Sequence, residues 1–215
     1  DLGLAYDGDG DRIIFVDDRG QRVRADLVTA LIATEVLRRH PGATVVYDVR
    51  SSRAVREAIE EAGGRARLCR VGHAFMKEAM RAEDAVFGGE LSGHYYFRDA
   101  FYTDNADMAV LWVLRLMQER ERPLSELIRP FERYVASGEI NAEVADKEAK
   151  LRQIEALYAD GRISHVDGLT VEYDDWWFNL RPSNTEPLLR LNLEAKTPQQ
   201  MERHRDRLLE QIRDP

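Results

Sequence analysis

The sequence has one cysteine, Cys69, among its 215 residues. A single thiol excludes an internal disulfide and a zinc site built from several cysteines. The sequence also lacks an apolar run of 18 residues and the pattern of a signal peptide. We therefore expect a cytoplasmic protein without a membrane partner.

Basic residues are also in the minority. The 31 Lys and Arg are outnumbered by 39 Asp and Glu, which gives a formal net charge of −8 at pH 7. Because no cluster of Lys and Arg is broad enough to make a basic face, the sequence predicts no nucleic-acid partner. An anionic ligand would have to be bound by a few local arginines. The hydrophobic share of 44% is sufficient for one large domain or two small ones.

An acidic, glycine-rich loop separates two apolar runs, residues 2–6 and 13–16. Its carboxylates, Asp7, Asp9 and Asp11, alternate with glycines, and the pattern predicts two short strands joined by the loop. Neighbouring carboxylates repel one another unless a cation lies between them. Ligands that are all oxygen favour Mg²⁺, with Mn²⁺ or Ca²⁺ as alternatives. The competing interpretation is a solvated turn, which Asp and Gly favour for backbone reasons.

Two familiar loops share part of this pattern but do not fit it. An EF-hand would need Gly in place of Arg12 and Glu in place of Asp18, and helices rather than strands on both sides. The dinucleotide-binding fingerprint would need its third glycine in place of Ile13. We therefore reject both.

Apolar strand patterns alternate with amphipathic helix patterns from residue 25 to about 135. This alternation predicts an α/β fold with helices on the faces of a parallel sheet. Asp26 is predicted to cap the first helix and Ser52 the second, and Leu111 is assigned to the buried stripe of a later helix. The predicted strands are 44–47, 66–69 and 85–87, and the predicted helices are 26–39, 52–62, 74–81, one from 105 or 107, and 123–131.

Strands follow one another between two helices in the last third of the chain. This order predicts a smaller α+β domain with one sheet and one helical layer, its strands at 139–144, 169–173, 176–180 and 188–194 and its helices at 147–159 and 198–212. Since the acidic loop lies so near Asp1, we expect a fragment of a longer protein. The predicted domains are 1–24, the end of a truncated metal-loop domain, then 25–135, the α/β domain, and 136–215, the α+β domain.

A polar loop follows the predicted strand 85–87. Glu90 and Ser92 are two residues apart, so an extended loop would turn both side chains to one side, where they could bind neighbouring sugar hydroxyls. His94 could transfer a proton or donate to a phosphate, and His73, after the preceding strand, could join it. The alternative is that both histidines are structural.

A second polar loop, residues 181–187, lies between two strands near the C-terminus. Its hydroxyls and backbone N–H groups, beside the Arg181 guanidinium, could surround a phosphate dianion. The alternative is an ordinary hairpin turn. The candidate phosphate ligands are Arg181, Ser183, Asn184 and Thr185.

These three loops, in this order, resemble motifs of the α-D-phosphohexomutase superfamily, and most closely those of bacterial phosphomannomutase/phosphoglucomutase. Segment 7–12 is similar to the family's magnesium loop, 89–94 to its sugar-recognition loop and 181–187 to its phosphate loop. The resemblance implies a chain holding the end of domain 2 and all of domains 3 and 4 of a four-domain enzyme. Its partners would be mannose or glucose 1- and 6-phosphates and the missing N-terminal domains of the same protein.

The resemblance also implies how the complete enzyme works. A Mg²⁺-bound phosphoserine passes its phosphoryl group to a hexose phosphate, and the resulting bisphosphate turns round and returns the other phosphate. Arg12 and the metal would offset charge on the transferring group, and His94 or Arg50 would assist proton transfer. Glu90 and Ser92 would hold the sugar hydroxyls.

The family's phosphorylated serine lies in a Ser-His-Asn-Pro type loop, which this sequence does not contain. The resemblance therefore predicts that the chain binds substrate without turning it over. Asn184 follows the mannose/glucose type of the family rather than the glucosamine type, in which glycine is more usual. This favours mannose and glucose phosphates without separating them.

Two other functions fit part of the sequence. A haloacid-dehalogenase-like phosphatase would use Asp7 as nucleophile and Asp9 as general acid, but would leave the loops at Glu90 and Arg181 unexplained. A non-catalytic module could use the same loops for sugar-phosphate recognition alone. Hydrolysis of an aryl phosphate that Asp7→Asn abolishes would favour the phosphatase.

Overall fold

A computed structural model describes residues 1–183 and 185–214. The chain forms two compact units, unit 1 from Asp1 to Arg133 and unit 2 from Tyr134 onward. Within the described ranges, no helix is both long and apolar enough to cross a membrane.

Unit 1 begins with an antiparallel hairpin of β1 (Gly3–Tyr6) and β2 (Ile13–Val16). Ile13 and Phe15 of β2 are fully buried, whereas β1 is largely exposed. The acidic loop connects the two strands, as the apolar runs on both sides of it predicted. An EF-hand, which needs flanking helices, is excluded by this geometry as well.

The main sheet of unit 1 has five strands in the order β4-β3-β5-β6-β7. Strands β3, β4 and β5 are parallel, and β6 and β7 are added antiparallel. The α/β class is confirmed, but the two antiparallel strands were not predicted: after β5 the chain turns back at once instead of crossing over through a helix. The strands are β3 (Thr44–Asp48), β4 (Arg65–Cys69), β5 (Phe87–Gly89), β6 (Tyr95–Phe97) and β7 (Thr103–Asp104).

Five helices accompany this sheet. Ser52 caps the second, as predicted, since its hydroxyl accepts from Ala54 N at 3.1 Å. Asn105 caps the fourth in the same way. The helices are α1 (Ala25–Arg39), α2 (Arg53–Glu61), α3 (His73–Ala82), α4 (Ala106–Arg120) and α5 (Leu124–Ile128).

Two assignments in the helices of unit 1 were wrong. Asp26 does not cap α1, which begins one residue earlier; its carboxylate is fully buried and accepts from Ser52 N at 2.7 Å. Leu111 is not in the core: its side chain lies on the outer face of α4 and is 64% exposed.

Unit 2 is one antiparallel sheet with two helices. The strand order is β8-β12-β11-β10-β9, and β9 is short and was not predicted. The elements are β8 (Val135–Glu143), α6 (Lys147–Leu157), β9 (Arg162–Ser164), β10 (Leu169–Glu172), β11 (Trp176–Pro182), β12 (Leu188–Ala195) and α7 (Pro198–Arg213).

The two faces of this sheet differ in polarity. Phe178 and Leu180 of β11 lie on the face that forms the core with Ile154 and Leu208 of the helices. On the opposite face, Arg181 stands directly across from Arg190. The predicted phosphate loop therefore starts from a polar sheet face, inside a strand rather than beyond it.

Candidate functional site

The acidic loop brings three carboxylates together. One oxygen from each of Asp7, Asp9 and Asp11 lies within 4.8 Å of the others. Gly10, at φ +76°, allows the backbone to turn between them. The Oδ1 atom of Asp11 is buried and has no hydrogen-bond partner among the described residues. An all-oxygen donor set with one buried, unsatisfied oxygen fits a hard divalent cation.

Arg12 is bound to the first of these carboxylates. Its Nε donates to Asp7 Oδ2 at 2.6 Å and lies 3.8 Å from Asp11 Oδ1. Partial burial would raise the pKa of Asp7, but the hydrogen bonds and positive charge of Arg12 outweigh it, so that pKa is lowered. Asp7 therefore stays ionised, and the half-exposed guanidinium lies at the edge of the carboxylate cluster.

The predicted sugar loop is a tight hairpin turn rather than an extended segment. Glu90 and His94 close it: Glu90 N donates to His94 O at 3.0 Å, and Gly93 N donates to Glu90 O at 3.0 Å. Glu90 and Ser92 nevertheless converge as predicted, because Oε2 of the first and Oγ of the second lie 3.0 and 2.9 Å from His94 Nδ1.

Glu90 is almost completely buried, with 2% of its surface exposed. Its carboxylate accepts from Gly72 N at 3.0 Å and from the Tyr96 hydroxyl at 2.7 Å. Burial would raise the pKa of Glu90, but the hydrogen bonds from His94, Tyr96 and the Gly72 backbone outweigh it and lower that pKa. The result is an ionised carboxylate held in one position.

His94 connects the turn to the acidic loop. Its Nε2 lies 3.3 Å from Asp11 Oδ2. Burial would lower the pKa of His94, but the hydrogen bond to Glu90 and the charges of Glu90, Asp11 and Asp104 raise it. A mostly buried imidazole with a raised pKa can hold a proton and release it.

The backbone also links the two loops. Ile13 N, which follows the acidic loop directly, donates to Gly93 O at 3.1 Å. Gly93 has φ +95°, and a Cβ added there would lie 2.9 Å from Ile13 O. Glycine is therefore required at this contact for both its backbone conformation and its size.

Asp48 is a site residue that the sequence reasoning did not nominate. It is fully buried at the end of β3, and its Oδ2 accepts from Arg50 Nη2 at 2.6 Å and from Leu91 N at 3.1 Å. Burial raises the pKa of Asp48 despite the opposing charge of Arg50. Its carboxylate thus joins Arg50, a predicted catalytic residue, to the turn that contains Glu90. A buried acid at the carboxyl end of a parallel strand was the available signal.

His73 is the first residue of α3 and is exposed. It follows Gly72, whose N–H is bonded to Glu90, so it begins the helix beside the turn. Its substrate-binding role remains a prediction.

Unit 2 contains the predicted phosphate ligands. The Arg181 guanidinium is 14% exposed and lies between Glu139, at 3.5 Å, and Asp167, at 3.9 Å. Arg190, its cross-strand neighbour, also lies 3.5 Å from Glu139. Two guanidinium groups are therefore held on one face by a shared carboxylate, which reduces their mutual repulsion.

Some polar atoms of this region have no hydrogen-bond partner among the described residues. They include Arg181 Nε and Ser183 Oγ, both of which are buried. Thr185 is exposed, and Asn184 lies outside the described residues. Arg181 Nε belongs to the guanidinium that lies 3.9 Å from Asp167 Oδ2, a distance too long for a hydrogen bond. Since buried donors normally have hydrogen-bond partners, a guanidinium nitrogen and a hydroxyl without them make this region a candidate site for an anionic ligand.

Comparison with known proteins identifies the family. The model of the phosphoglucomutase/phosphomannomutase alpha/beta/alpha domain III matches residues 24–134, and that of the C-terminal domain matches residues 139–211. The chain belongs to the phosphoglucomutase/phosphomannomutase family, which confirms the resemblance stated from the three loops.

Curated relatives agree with this assignment. A phosphomannomutase of Methanocaldococcus jannaschii is 47% identical over 195 residues, which are 91% of this chain and 43% of that protein. A phosphomannomutase of Salmonella typhimurium is 41% identical over 199 residues, 91% of this chain and 44% of that protein. The chain therefore spans less than half the length of these relatives.

Solved structures show the same fold. A phosphoglucomutase/phosphomannomutase family protein from Burkholderia thailandensis superposes with a TM-score of 0.88 at 33% identity, over 99% of this chain and 47% of that one. An Aspergillus fumigatus N-acetylphosphoglucosamine mutase in complex with GlcNAc-6P and magnesium superposes with a TM-score of 0.72 at 16% identity, over 100% of this chain and 52% of that one. The second likeness concerns the fold alone.

Proposed function

We propose that this chain is the sugar- and phosphate-binding part of a phosphohexomutase that interconverts hexose 1-phosphate and hexose 6-phosphate. The observation that carries the proposal is the contact of Asp11 with His94, which places a cluster of carboxylates beside a buried carboxylate–histidine pair. This combination suits a phosphorylated sugar, because a cation held by the carboxylates can bind the phosphoryl group while Glu90 and His94 form hydrogen bonds with sugar hydroxyls. The phosphomannomutase relatives support mannose phosphates as substrates, and the phosphoglucomutase/phosphomannomutase family models support glucose phosphates as well.

Asp7, Asp9 and Asp11 would hold Mg²⁺. When bound, the ion offsets negative charge on the phosphoryl group that is transferred. Arg12 adds a second positive charge at the edge of the cluster, where its guanidinium can exchange Asp7 for a phosphate oxygen.

The turn at 90–94 would bind the sugar. An ionised carboxylate offers about four acceptor positions, and Gly72, Tyr96 and His94 occupy three of those of Glu90. The remaining position, with the Ser92 hydroxyl, would bind neighbouring sugar hydroxyls. His94 would give and take the proton of the attacking or leaving hydroxyl, and Arg50, which Asp48 holds, would assist by stabilising charge.

Unit 2 would bind the phosphate that is not transferred. Arg181 supplies the positive charge, and Ser183, Thr185 and Asn184 would supply hydrogen bonds. Arg181 Nε and Ser183 Oγ are buried and have no hydrogen-bond partner among the described residues, which supports this role. The phosphoserine must come from the N-terminal domains of the same protein, since no Ser-His-Asn-Pro type sequence occurs in this chain. We expect this chain to bind hexose phosphates and not to turn them over.

Titration calorimetry with mannose 1-phosphate, with and without Mg²⁺, tests the proposal. We expect Mg²⁺ to bind the chain and to strengthen sugar-phosphate binding, and Asp9→Asn to remove this Mg²⁺ effect. Asp99→Asn, at an exposed carboxylate of unit 1, is the control and should leave it intact. Adding the N-terminal domains should restore turnover.

Three results would contradict this function. Mutase activity from the chain alone would show that the phosphoserine is not needed from elsewhere. Metal-dependent hydrolysis of p-nitrophenyl phosphate that Asp7→Asn abolishes would indicate the phosphatase. Binding that persists in the absence of Mg²⁺ and no turnover after the N-terminal domains are added would indicate a recognition module.

A further inference from the structure

Lys147 holds both ends of the loop that carries the candidate phosphate ligands. Its ammonium group donates to the backbone oxygen of Ser183 at 2.7 Å and to that of Glu186 at 3.1 Å. The two carbonyls are three residues apart, so a single side chain joins the beginning and the end of the turn. No sequence motif described above includes Lys147.

The position of Lys147 is unfavourable for the helix to which it belongs. It is the first residue of α6, directly after the N-cap Asp146, whose carboxylate accepts from Ala149 N. A positive charge at a helix N-terminus opposes the helix dipole and weakens the helix. A residue that weakens its own helix and contacts another loop is best explained by that contact.

We propose that Lys147 is a positioning residue of the phosphate site in unit 2. This inference rests on the proposed phosphate-binding role of segment 181–187. A carbonyl oxygen is partly negative and repels a phosphate, so a loop that receives one must keep its carbonyls engaged elsewhere. Lys147 binds two of these oxygens and adds a positive charge next to the loop.

The remaining contacts of the loop are consistent with such support. Ser183 N donates to Leu188 O at 2.9 Å, which fixes the backbone of Ser183. The hydroxyl of this residue is buried and has no hydrogen-bond partner among the described residues. Arg181 is fixed independently by Glu139 and Asp167. Lys147 therefore controls where the hydroxyl-bearing part of the loop lies, while Arg181 would keep its place without it.

The inference is tested by the affinity of the chain for mannose 1-phosphate and for inorganic phosphate, measured by calorimetry. Lys147→Met keeps the length of the side chain and removes the ammonium; we expect both dissociation constants to rise about tenfold. Lys150→Met is the matched control. Lys150 lies on the same helix and also donates to backbone carbonyls, those of Gln211 and Asp214, so its loss should lower the thermal midpoint and leave both affinities unchanged.

A chemical rescue separates positioning from a general loss of stability. Lys147→Cys, treated with bromoethylamine, regains an ammonium at almost the original distance. Cys69 should not react under native conditions, because it is buried and its pKa is raised to about 11. We expect aminoethylation to restore the affinity to within about twofold, and Lys147→Arg to restore part of it.

The outcomes distinguish this inference from the function on which it rests. If Arg181→Met weakens phosphate binding and Lys147→Met does not, Lys147 has no positioning role and the proposed function stands. If the parent chain binds neither ligand, or Arg181→Met binds them as the parent does, the phosphate site itself is refuted. If Lys147→Met is weakened and aminoethylation does not restore binding, the effect is structural and the inference fails.

Discussion

The turn between β5 and β6 in unit 1 and the turn between β11 and β12 in unit 2 satisfy their polar groups differently. In the first, Glu90 is buried and bonded to several donors, and the buried Asp48 at the end of β3 accepts from Leu91 N, so the turn is fixed before any ligand arrives. In the second, Arg181 Nε and Ser183 Oγ are buried without hydrogen-bond partners among the described residues. We therefore expect the first turn to contribute mainly to the stability of its unit and the second mainly to ligand binding.

Asp48→Ala should have the largest effect, on stability. The substitution removes the carboxylate that faces Arg50 and the acceptor of Leu91 N inside a buried network. We expect the free energy of unfolding of unit 1 to fall by about 3–5 kcal/mol in urea titrations. Glu61→Ala, which breaks an ion pair with Arg133 at an exposed carboxylate, should cost less than about 1 kcal/mol. Similar costs for the two variants would show that the buried network around the first turn stabilises unit 1 no more than a surface ion pair does.

Arg181→Met should show the reverse pattern, with a loss of binding and little change in stability. Charge-assisted hydrogen bonds contribute about 1.5–3 kcal/mol, so the dissociation constant for mannose 1-phosphate should rise about 10- to 100-fold. The thermal midpoint should change little, because Arg181 shares Glu139 with Arg190. Arg162→Met, at an exposed arginine of the same unit, should bind as the parent does. A large loss of stability in Arg181→Met would show that this turn, too, is primarily structural.

Ser183→Ala removes a hydroxyl of the second turn, and Tyr96→Phe removes a hydroxyl that donates to the first. Ser183 Oγ makes no hydrogen bond in the described part of the chain, so its removal should change the free energy of unfolding by less than about 0.5 kcal/mol and weaken phosphate binding roughly 3- to 10-fold. Tyr96→Phe, which removes a donor to Glu90, should instead lower the stability of unit 1 by about 1–2 kcal/mol. Equal losses of stability would contradict the comparison.

The pH dependence of stability gives the smallest predicted effect. The pKa of Glu90 in the folded chain is lowered from 4.5, so its ionised form stabilises unit 1 above that pH, and the contribution is lost as the pH falls through the lowered value. The difference in unfolding free energy between the parent and Glu90→Gln should therefore shrink as the pH falls from 6 to 3. A constant difference would mean that the charge of Glu90 contributes nothing to folding.

Much of the fold was predictable from local patterns. Ser52 and Asn105 cap helices because their side chains can accept from the backbone, and the apolar runs around the acidic loop form strands as expected. Strand β6 was missed because Tyr95 follows the polar turn directly and carries no turn signal of its own. Leu111 was misassigned because periodicity finds an apolar face of a helix without showing what covers it.

The three candidate loops were found from composition, but their supporting residues were not. Asp48 and Lys147 act through contacts with residues 43 and 36 positions away, so no spacing rule connects them to the candidate loops. Tyr96 lies six residues after Glu90, but its contact with Glu90 depends on the return of the chain in β6. The conformation of the 90–94 turn also depended on tertiary pairing with β6. Candidate ligands could thus be chosen from their residue types, whereas the residues that position them could be found only from the fold.

The hydrogen bond from Ile13 N to Gly93 O joins the acidic loop to the 90–94 turn through backbone atoms alone. Because backbone atoms set the spacing between the acidic loop and the 90–94 turn, substitutions at Leu91 or Ser92 should leave this spacing unchanged and, in the proposed site, would alter the contacts with the sugar alone. An inserted or deleted residue in the turn would move the side chains of the turn and also change its distance from the acidic loop. Under the proposed function, we therefore expect substitutions in this turn, and not changes of its length, to be able to alter substrate preference.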